Sequence, residues 1–490
     1  MSESITDLFC DAKKRLNMKE VRAMAKKAPV TDKPLYDLIP SQQTMYIMLK
    51  YSLHKEVTQI PASIGINTKI DFDLLKKAFN IEIERNDALR LRFTKVDGKI
   101  KQYFIDPYTV DEIPFREFKS KEEQDKYLLK DAKTPIRIFK DETYRLIFYK
   151  TGEKYGIYFN VSHIVTDALG AAVFYMDLLA VYRALLNGTE MPEPLYKYED
   201  HIKREFEYLS NGKRHNKDAE FYKNYWTENG EPFYAGVHGP DLLEKARRKD
   251  PSIRVPKAFD PIHDKIVVTT KYMSEAETNA VYDYCKEHLI TPECVLLYAL
   301  RAHASKVNYR APDVLNMLMC GRRAKKQDKF MGGCITQPIQ IRVITEETDT
   351  FNEAVAKVSS CRTSLLRHMD YPYLEARGMQ QQIFGYSTSQ GPSCLMFSWL
   401  PIAYGLKESS FDAEFTAYET GRFSMPLYIF AIPDPKSGGT EFRYMHRTSL
   451  ISVETIDLLH ENAMKTLRMG MDNPEITVGE ILDNLDDFTD

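Results

Sequence analysis

The spacing of apolar side chains changes period along this chain, and each change marks an element. Ile157, Phe159, Val161 and His163 alternate with Tyr158, Asn160 and Ser162, a period of two that predicts a strand. Asp167 follows after a short turn. From 169 to 186 a long apolar pattern predicts a helix, which Gly188 stops. A histidine therefore ends a strand, and a carboxylate opens a helix four residues later. Such a bend can hold one side of the imidazole against the backbone and leave its other nitrogen facing a cavity, as a positioned general base requires.

The same reading extends in both directions. Residues 41–50, after Pro40, predict a helix. Residues 58–68, rich in Ile, predict a strand, and 71–85 show i, i+3, i+4 apolar spacing behind Asp71, a helix with an acidic cap. Residues 87–93 turn into a strand on which Arg90 and Arg92 share a face. Asp97-Gly98 predicts a hairpin turn before 99–105, and 144–150 faces 155–161 across Thr151-Gly152. Residues 200–262 are polar and aromatic, punctuated by Asn211-Gly212, Gly239-Pro240 and Asp260-Pro261, and read as linker with local helices. Beyond them come a strand at 265–270, helices at 274–289 and 291–306 opened by Ser274 and Thr291, strands at 314–320, 336–343, 393–397 and 427–432, and helices at 351–368 and 453–469. Residues 1–30 predict a further helix with Ile5, Leu8, Phe9 and Ala12 on one face. Helices and strands alternate in both halves, so the expected class is α+β, a two-lobed α/β sandwich. Its expected parts are a helical extension at 1–33, an N-terminal lobe at 34–205, a linker at 206–264 and a C-terminal lobe at 265–490.

Composition narrows the function classes. A chain of 490 residues that is 43% hydrophobic holds two or three units with sizeable cores. A formal net charge of -3 gives no overall electrostatic case for nucleic acid or a membrane surface. The seven cysteines are scattered and include no C-x-x-C pair, against a disulfide framework or a structural zinc site and in favour of a reducing, cytoplasmic compartment. No run of eighteen apolar residues predicts a membrane span, and the acidic first residues do not read as a secretory signal. Phosphate loops, G-x-S-x-G elbows and metal-ligand sets are missing, so no metal is expected.

Five segments together carry a resemblance. They are Leu38-Ile-Pro-Ser-Gln-Gln43, then Arg85-Asn-Asp-Ala-Leu-Arg90-Leu-Arg-Phe93, then Ser162-His163-Ile-Val-Thr-Asp167-Ala168, then Met331-Gly-Gly-Cys-Ile-Thr-Gln-Pro-Ile-Gln-Ile-Arg342, and Phe397-Ser398-Trp-Leu-Pro401. In this order, over about 36–482, the chain resembles the condensation-domain and chloramphenicol-acetyltransferase-like superfamily, whose signature is His-His-x-x-x-Asp-Gly. Ser162 stands where that signature has its first histidine, and Ala168 where it has its glycine.

The resemblance implies two similar lobes with a channel between them, and an acyltransferase that moves an acyl group from a thioester, on coenzyme A or an acyl-carrier protein, to a hydroxyl or amine. No bound cofactor is implied, and a monomer fits two lobes already paired within one chain. With no room for adenylation or carrier modules, a free-standing enzyme is expected, similar to the alcohol acyltransferases. His163 is implied as the general base. Asp167 is implied as a structural anchor paired with Arg90, with Arg92 as the fallback, and the alternative is a simple helix cap; both can hold. Ser398 is implied as an oxyanion donor, against a strand-end serine bonded to backbone. Gly170 and Trp399 are candidates for the substrate-binding wall, Gly170 by allowing close packing at the helix start. The basic run Arg322, Arg323, Lys325 and Lys326 offers either coenzyme A phosphate contacts or a solvated loop. Two competing functions follow from the altered flanks and the family: a non-catalytic member that binds a carrier protein or partner, and a peptide-bond-forming condensation enzyme.

Overall fold

A computed structural model describes residues 31–140, 142–321, 323, 325–393, 395–401 and 411–488. The helix expected within 1–30 and the cluster residue Arg322 lie outside these residues.

Among the described residues the strands form two large sheets and a hairpin. The first sheet runs β12-β1-β6-β5-β4, with β1 at Gln59–Ile66, β4 at Phe115–Phe118, β5 at Tyr144–Thr151, β6 at Lys154–Ser162 and β12 at Ala413–Ala417. The second runs β10-β9-β11-β13-β14-β8, with β8 at Val267–Met273, β9 at Asp313–Cys320, β10 at Gln337–Ile344, β11 at Leu395–Trp399, β13 at Leu427–Pro433 and β14 at Thr440–His446. The hairpin pairs β2 (Leu91–Val96) with β3 (Lys99–Phe104) across Asp97 and Gly98, both at positive φ as its tight turn demands. A short strand β7 (Val237–Pro240) stands apart from the sheets.

In the N-terminal lobe, helices α1 (Pro40–Tyr51), α2 (Phe72–Arg85), α3 (Lys121–Ala132) and α4 (Ala168–Asn187) accompany the first sheet. Asp71 caps α2 by accepting from the Asp73 and Leu74 amides, and Gly188 ends α4 in the left-handed conformation at φ 61. Helix α4 is long and apolar enough to cross a membrane by composition. Two-thirds of its apolar window is buried, and its Phe174, Leu178 and Val181 belong to the lobe's core. Helices α5 (Tyr198–Ser210), α6 (Gly212–Thr227) and α7 (Asp241–Arg247) follow, and the C-terminal lobe adds α8 (Glu275–Glu287), α9 (Pro292–Lys306), α10 (Lys326–Lys329), α11 (Phe351–Arg367), α12 (Tyr373–Phe384), α13 (Val453–Asp472) and α14 (Val478–Asn484).

Two features cut across the expected division of the chain. Residues 206–264, read from the sequence as linker, are folded: Tyr222, Trp226, Val237 and Leu243 are buried in the core of the C-terminal lobe. Helix α6 turns Tyr222 and Trp226 inward and α7 turns Leu242 and Leu243 inward, while the polar residues that suggested a linker lie mostly on their outer faces. The C-terminal half also reaches back into the N-terminal lobe. Strand β12 pairs antiparallel with β1, from Ala62 opposite Ala417 to Ile66 opposite Ala413. Met331, Cys334 and Ile335 are buried in the N-terminal core.

Candidate active site between the lobes

His163 sits one residue past β6. Its amide donates to the Thr58 carbonyl at 2.7 Å, which extends the β1–β6 pairing by one bond and fixes the backbone below the ring. The Val165 amide then bonds the Ser162 carbonyl at 2.9 Å, closing the turn that leads to Asp167. The ring lies deep in the protein but keeps part of its surface open to a cavity of about 600 Å³ between the lobes. Burial pulls its pKa below the ordinary 6.5; hydrogen bonding to the His163 and Thr166 backbone and the charge of Asp167 oppose that pull without reversing it. The free imidazole is therefore the resting form at neutral pH. Its Nδ1 lies 4.0 Å from Cys334 Sγ. Burial raises the pKa of that thiol, so it stays neutral beside the ring.

Asp167 does not pair with Arg90. Arg90 ends a 3-10 turn, Asp87–Arg90, rather than lying on a strand, and it donates to the Ile83 and Ile105 carbonyls. The fallback, Arg92, is taken by the Leu89 and Leu91 carbonyls at 3.0 and 2.8 Å. The partner is Arg323, whose Nη2 lies 2.8 Å from Asp167 Oδ1. Oδ1 also accepts from the Gly170 amide at 2.8 Å, the cap of α4, and Oδ2 accepts from the Ile335 amide at 2.9 Å. Cap and anchor thus coexist, but the anchor runs to the other half of the chain. Burial would raise the Asp167 pKa; the Arg323 guanidinium and the two amides outweigh it and hold the carboxyl below the usual range.

The rest of Arg323 binds the carbonyls of Asp328, Met331 and Gly333, so this member of the basic cluster is a buried structural group. Lys326 is spent on Glu193 at 2.5 Å. The cluster does not offer a phosphate site through these two residues.

The segment Gly332–Ile335 forms the floor under the His163 turn. The Cys334 amide donates to the Val165 carbonyl at 3.1 Å, and the Cys334 carbonyl accepts from Ser41 at 2.9 Å and Tyr198 at 2.8 Å. Gly170 faces this floor. A Cβ there would stand 2.5 Å from the Gly332 carbonyl oxygen and 2.3 Å from Thr166 Oγ1, so only glycine lets helix start and floor meet. Close packing holds for Gly170, but its place is against backbone, while Ala168, Leu169 and Ala171 of the same helix line the cavity.

Ser398 and Trp399 also line the cavity, from β11. The Ser398 hydroxyl donates to the Met319 carbonyl at 3.0 Å and meets Tyr428 Oη at 2.9 Å. A carbonyl can only accept, so the single serine proton goes to Met319 and Tyr428 supplies its own to Ser398. In this arrangement Ser398 has no proton left for an oxyanion. Sequence reasoning did not single out Cys334, Glu293 or Arg362 for the site, and it put Arg323 in a surface run; nothing in their local pattern separates them from ordinary loop and helix residues.

Comparison with known proteins gives a consistent result. The chain is 21% identical over 459 residues to surfactin synthase subunit 2 of Bacillus subtilis, a match covering 93% of this chain and 12% of that protein. It is 22% identical over 460 residues to enniatin synthase of Fusarium equiseti, covering 91% of this chain and 14% of that protein. The chain therefore spans about an eighth of the length of these relatives. Among solved structures, the first condensation domain of the calcium-dependent antibiotic synthetase in complex with a substrate analogue superimposes with a TM-score of 0.73 at 16% identity, over 92% of this chain and 99% of that one. The starter condensation domain of rhizomide synthetase in complex with C8-CoA and Leu-SNAC does so with a TM-score of 0.75 at 15% identity, over 93% and 98%. These likenesses establish the two-lobed, chloramphenicol-acetyltransferase-like fold. Residues 33–485 match the family described as Condensation domain, and this chain belongs to that family.

Proposed function

We propose that this chain is an acyltransferase that passes an acyl group from a thioester to an amine or hydroxyl acceptor in the inter-lobe cavity, with His163 as general base. The observation that carries the reading is His163 itself: a neutral, backbone-held imidazole at the wall of a cavity of about 600 Å³. With Nδ1 turned to Cys334, Nε2 is the nitrogen left for substrate. It takes the acceptor's proton as the acceptor's lone pair attacks the thioester carbonyl. The tetrahedral intermediate then collapses, the C–S bond breaks, and the imidazolium returns the proton to the departing thiolate. Proton transfer of this kind contributes roughly 10²–10⁴-fold. Asp167 is a positioning residue, holding the turn to Arg323 and Ile335. No bound cofactor enters the reaction. The donor is coenzyme A-bound or carrier-bound; the rhizomide starter domain in complex with C8-CoA supports the first form.

The test is thiol release with panels of acyl-CoA, acyl-N-acetylcysteamine and acyl-carrier donors and mixed amine and alcohol acceptors. Wild type is expected to release thiol in an acceptor-dependent manner and His163→Ala to lose roughly 10²–10⁴-fold of that rate. Equal release by the two proteins with every donor refutes the catalytic reading. A second reading, a peptide-bond-forming enzyme acting on two carrier-bound substrates, is favoured by the synthetase relatives; turnover only when both substrates are carrier-bound would select it. A non-catalytic binding role, motivated by Ser162 and Ala168, is disfavoured by the cavity that remains open at His163 and Ala168.

A further inference from the structure

The wall of the cavity contributed by the C-terminal lobe holds an ion pair that the acyl-transfer scheme does not use. Glu293 lies in the first turn of α9 and Arg362 on α11; both line the cavity that His163 lines. Glu293 is 6% exposed and hydrogen-bonds Arg362 Nε through Oε2. Burial raises the pKa of Glu293 and Arg362 opposes this. Cys320, beside both charges, and Pro292, next to Glu293 in the chain, line the same cavity.

The pair is unusual in what it leaves free. The Arg362 side chain is 21% exposed, and two more deeply buried arginines of the chain are bound on several sides. Arg342 is divided among Asp313, Gly230 and Asn229, and Arg323 among Asp167, Asp328, Met331 and Gly333. The hydrogen bonds of Arg362 among the described residues use Nε alone, so both terminal amino groups are uncommitted, as is Glu293 Oε1. Stability does not account for such a pair: a buried ion pair barely offsets its desolvation, and apolar residues of the same volume commonly serve the fold as well. A wall that places an unspent donor fork beside an unspent carboxylate oxygen, inside a largely apolar cavity, is built like the few polar groups that orient a ligand.

The charges decide which ligand. An anion would meet Arg362 but be repelled by Glu293, and an ammonium would meet the reverse. Because the pair is neutral as a whole and offers donors and an acceptor side by side, its complement is a neutral group with a carbonyl oxygen and an N–H on adjacent atoms. We infer that Glu293 and Arg362 form a subsite for a carboxamide carried by the substrate, with Arg362 donating to the amide oxygen and Glu293 Oε1 accepting from its N–H. The inference rests on the inter-lobe cavity being the substrate site, and it assigns the pair a part in specificity rather than in the chemical step.

Binding and turnover separate the two ideas. The probes are ethanethiol thioesters, whose thiol arm carries no amide of its own, with short acyl chains of equal length ending in methyl, carboxamide, carboxylate or ammonium. Their dissociation constants are measured by calorimetry on His163→Ala, which cannot consume them, alone and combined with Glu293→Gln or with the double change Glu293→Leu/Arg362→Met. The double change removes the pair as a unit and leaves no orphaned charge; circular dichroism confirms its fold. The carboxamide probe is expected to bind about tenfold more tightly than the methyl probe, a preference worth about 1.4 kcal/mol. The double change should abolish that preference while binding of the methyl probe persists, and Glu293→Gln should reduce it. A preference unchanged by the double change, a tighter fit for the charged probes, or absence of carboxamide binding at millimolar concentration overturns the subsite. Turnover of the methyl probe by wild type is scored separately. Turnover without preference sinks the subsite alone, and preference without turnover sinks the transferase reading alone.

Discussion

Removing Arg323 should unsettle the His163 turn more than removing any arginine of the N-terminal lobe. Arg323→Met leaves Asp167 buried with two amide donors, Gly170 and Ile335, and no countercharge. It also strips the carbonyls of Asp328, Met331 and Gly333 of their donor. Breaking a buried pair costs about 3–5 kcal/mol; the two remaining amides put this case near the lower end, about 3 kcal/mol. Asp167→Asn leaves the converse defect, a guanidinium with carbonyl partners only, at a similar cost. Combining the changes removes both orphaned charges, so the double variant should recover about 1–3 kcal/mol relative to the sum of the singles. Arg90→Met loses hydrogen bonds to Ile83 and Ile105 but should show less than about 0.5 kcal/mol of coupling with Asp167→Asn. The assay is urea denaturation followed by circular dichroism and tryptophan fluorescence, with all variants at pH 7. Acid supplies an independent check. The folded pKa of Asp167 is depressed, so the pair's contribution is present above the ordinary 3.8 and fades as pH falls through the lower folded value. The gap between wild type and Arg323→Met should narrow as pH falls, beginning with protonation of Asp167 in the variant, whose carboxyl has lost its countercharge and takes up its proton first. Coupling of Asp167 to Arg90 rather than Arg323, or a gap that widens in acid, refutes the reasoning.

Further expectations follow from the same geometry. The acid limb of kcat/KM should turn over below pH 6.5, because burial depresses the His163 pKa, and a midpoint above 6.5 would contradict that environment. Ser398→Ala should cost less than about tenfold in kcat, against the roughly 10²–10³-fold seen when an oxyanion donor is removed, because its proton is spent on Met319; a loss of the larger size without a change in fold would restore the oxyanion role. Burial, helped by the charge of Asp370, pushes Glu205 up to about 8, and neighbouring His201, held near 3, supplies no countercharge. The stability of the protonated acid is complete below its unfolded value of 4.5 and is lost as pH rises through about 8, so Glu205→Gln should gain on wild type across that window, on the order of a few kcal/mol, in melts at pH 5, 7 and 9. Gly333→Ala would drive a methyl to 1.9 Å from the Tyr198 ring, and thermal unfolding should register a loss of about 1–3 kcal/mol; an unchanged melting temperature would mean that the floor yields.

Where the sequence carried its own period, the structure was legible in it. The His163 strand, the Asp71-capped helix, the Asp97-Gly98 hairpin and the Gly188 stop each rest on a local rule and recur in the fold. What stayed hidden depends on distant partners. Arg90 and Arg323 look alike in sequence, and only the return of Arg323 and of residues 331–335 to the N-terminal lobe decides which one meets Asp167. Strand β12 is only five residues long; Ala413 and Phe415 face the core and Glu414 pairs with Lys154 in solvent, too brief an alternation to mark a strand by itself. Helix α6 looked like linker because its polar face outnumbers the aromatic face that buries Tyr222 and Trp226. The chemistry of Ser398 was invisible for a related reason: a hydroxyl's role depends on which acceptor reaches its proton first.

The pairing of β12 with β1 has a consequence for how the chain is made. Ile66 and Ala413 are register partners separated by 347 residues. At about 5–20 residues per second, the ribosome delivers β1 roughly 20–70 seconds before its edge partner exists. Throughout that interval the nascent N-terminal sheet displays the unpaired backbone of β1, a template for any other extended segment, and lacks the floor that Met331, Cys334 and Ile335 later supply. Completion of the first lobe is thus deferred until well over half of the second lobe has emerged, and the maturation of the two halves is tied together during biosynthesis.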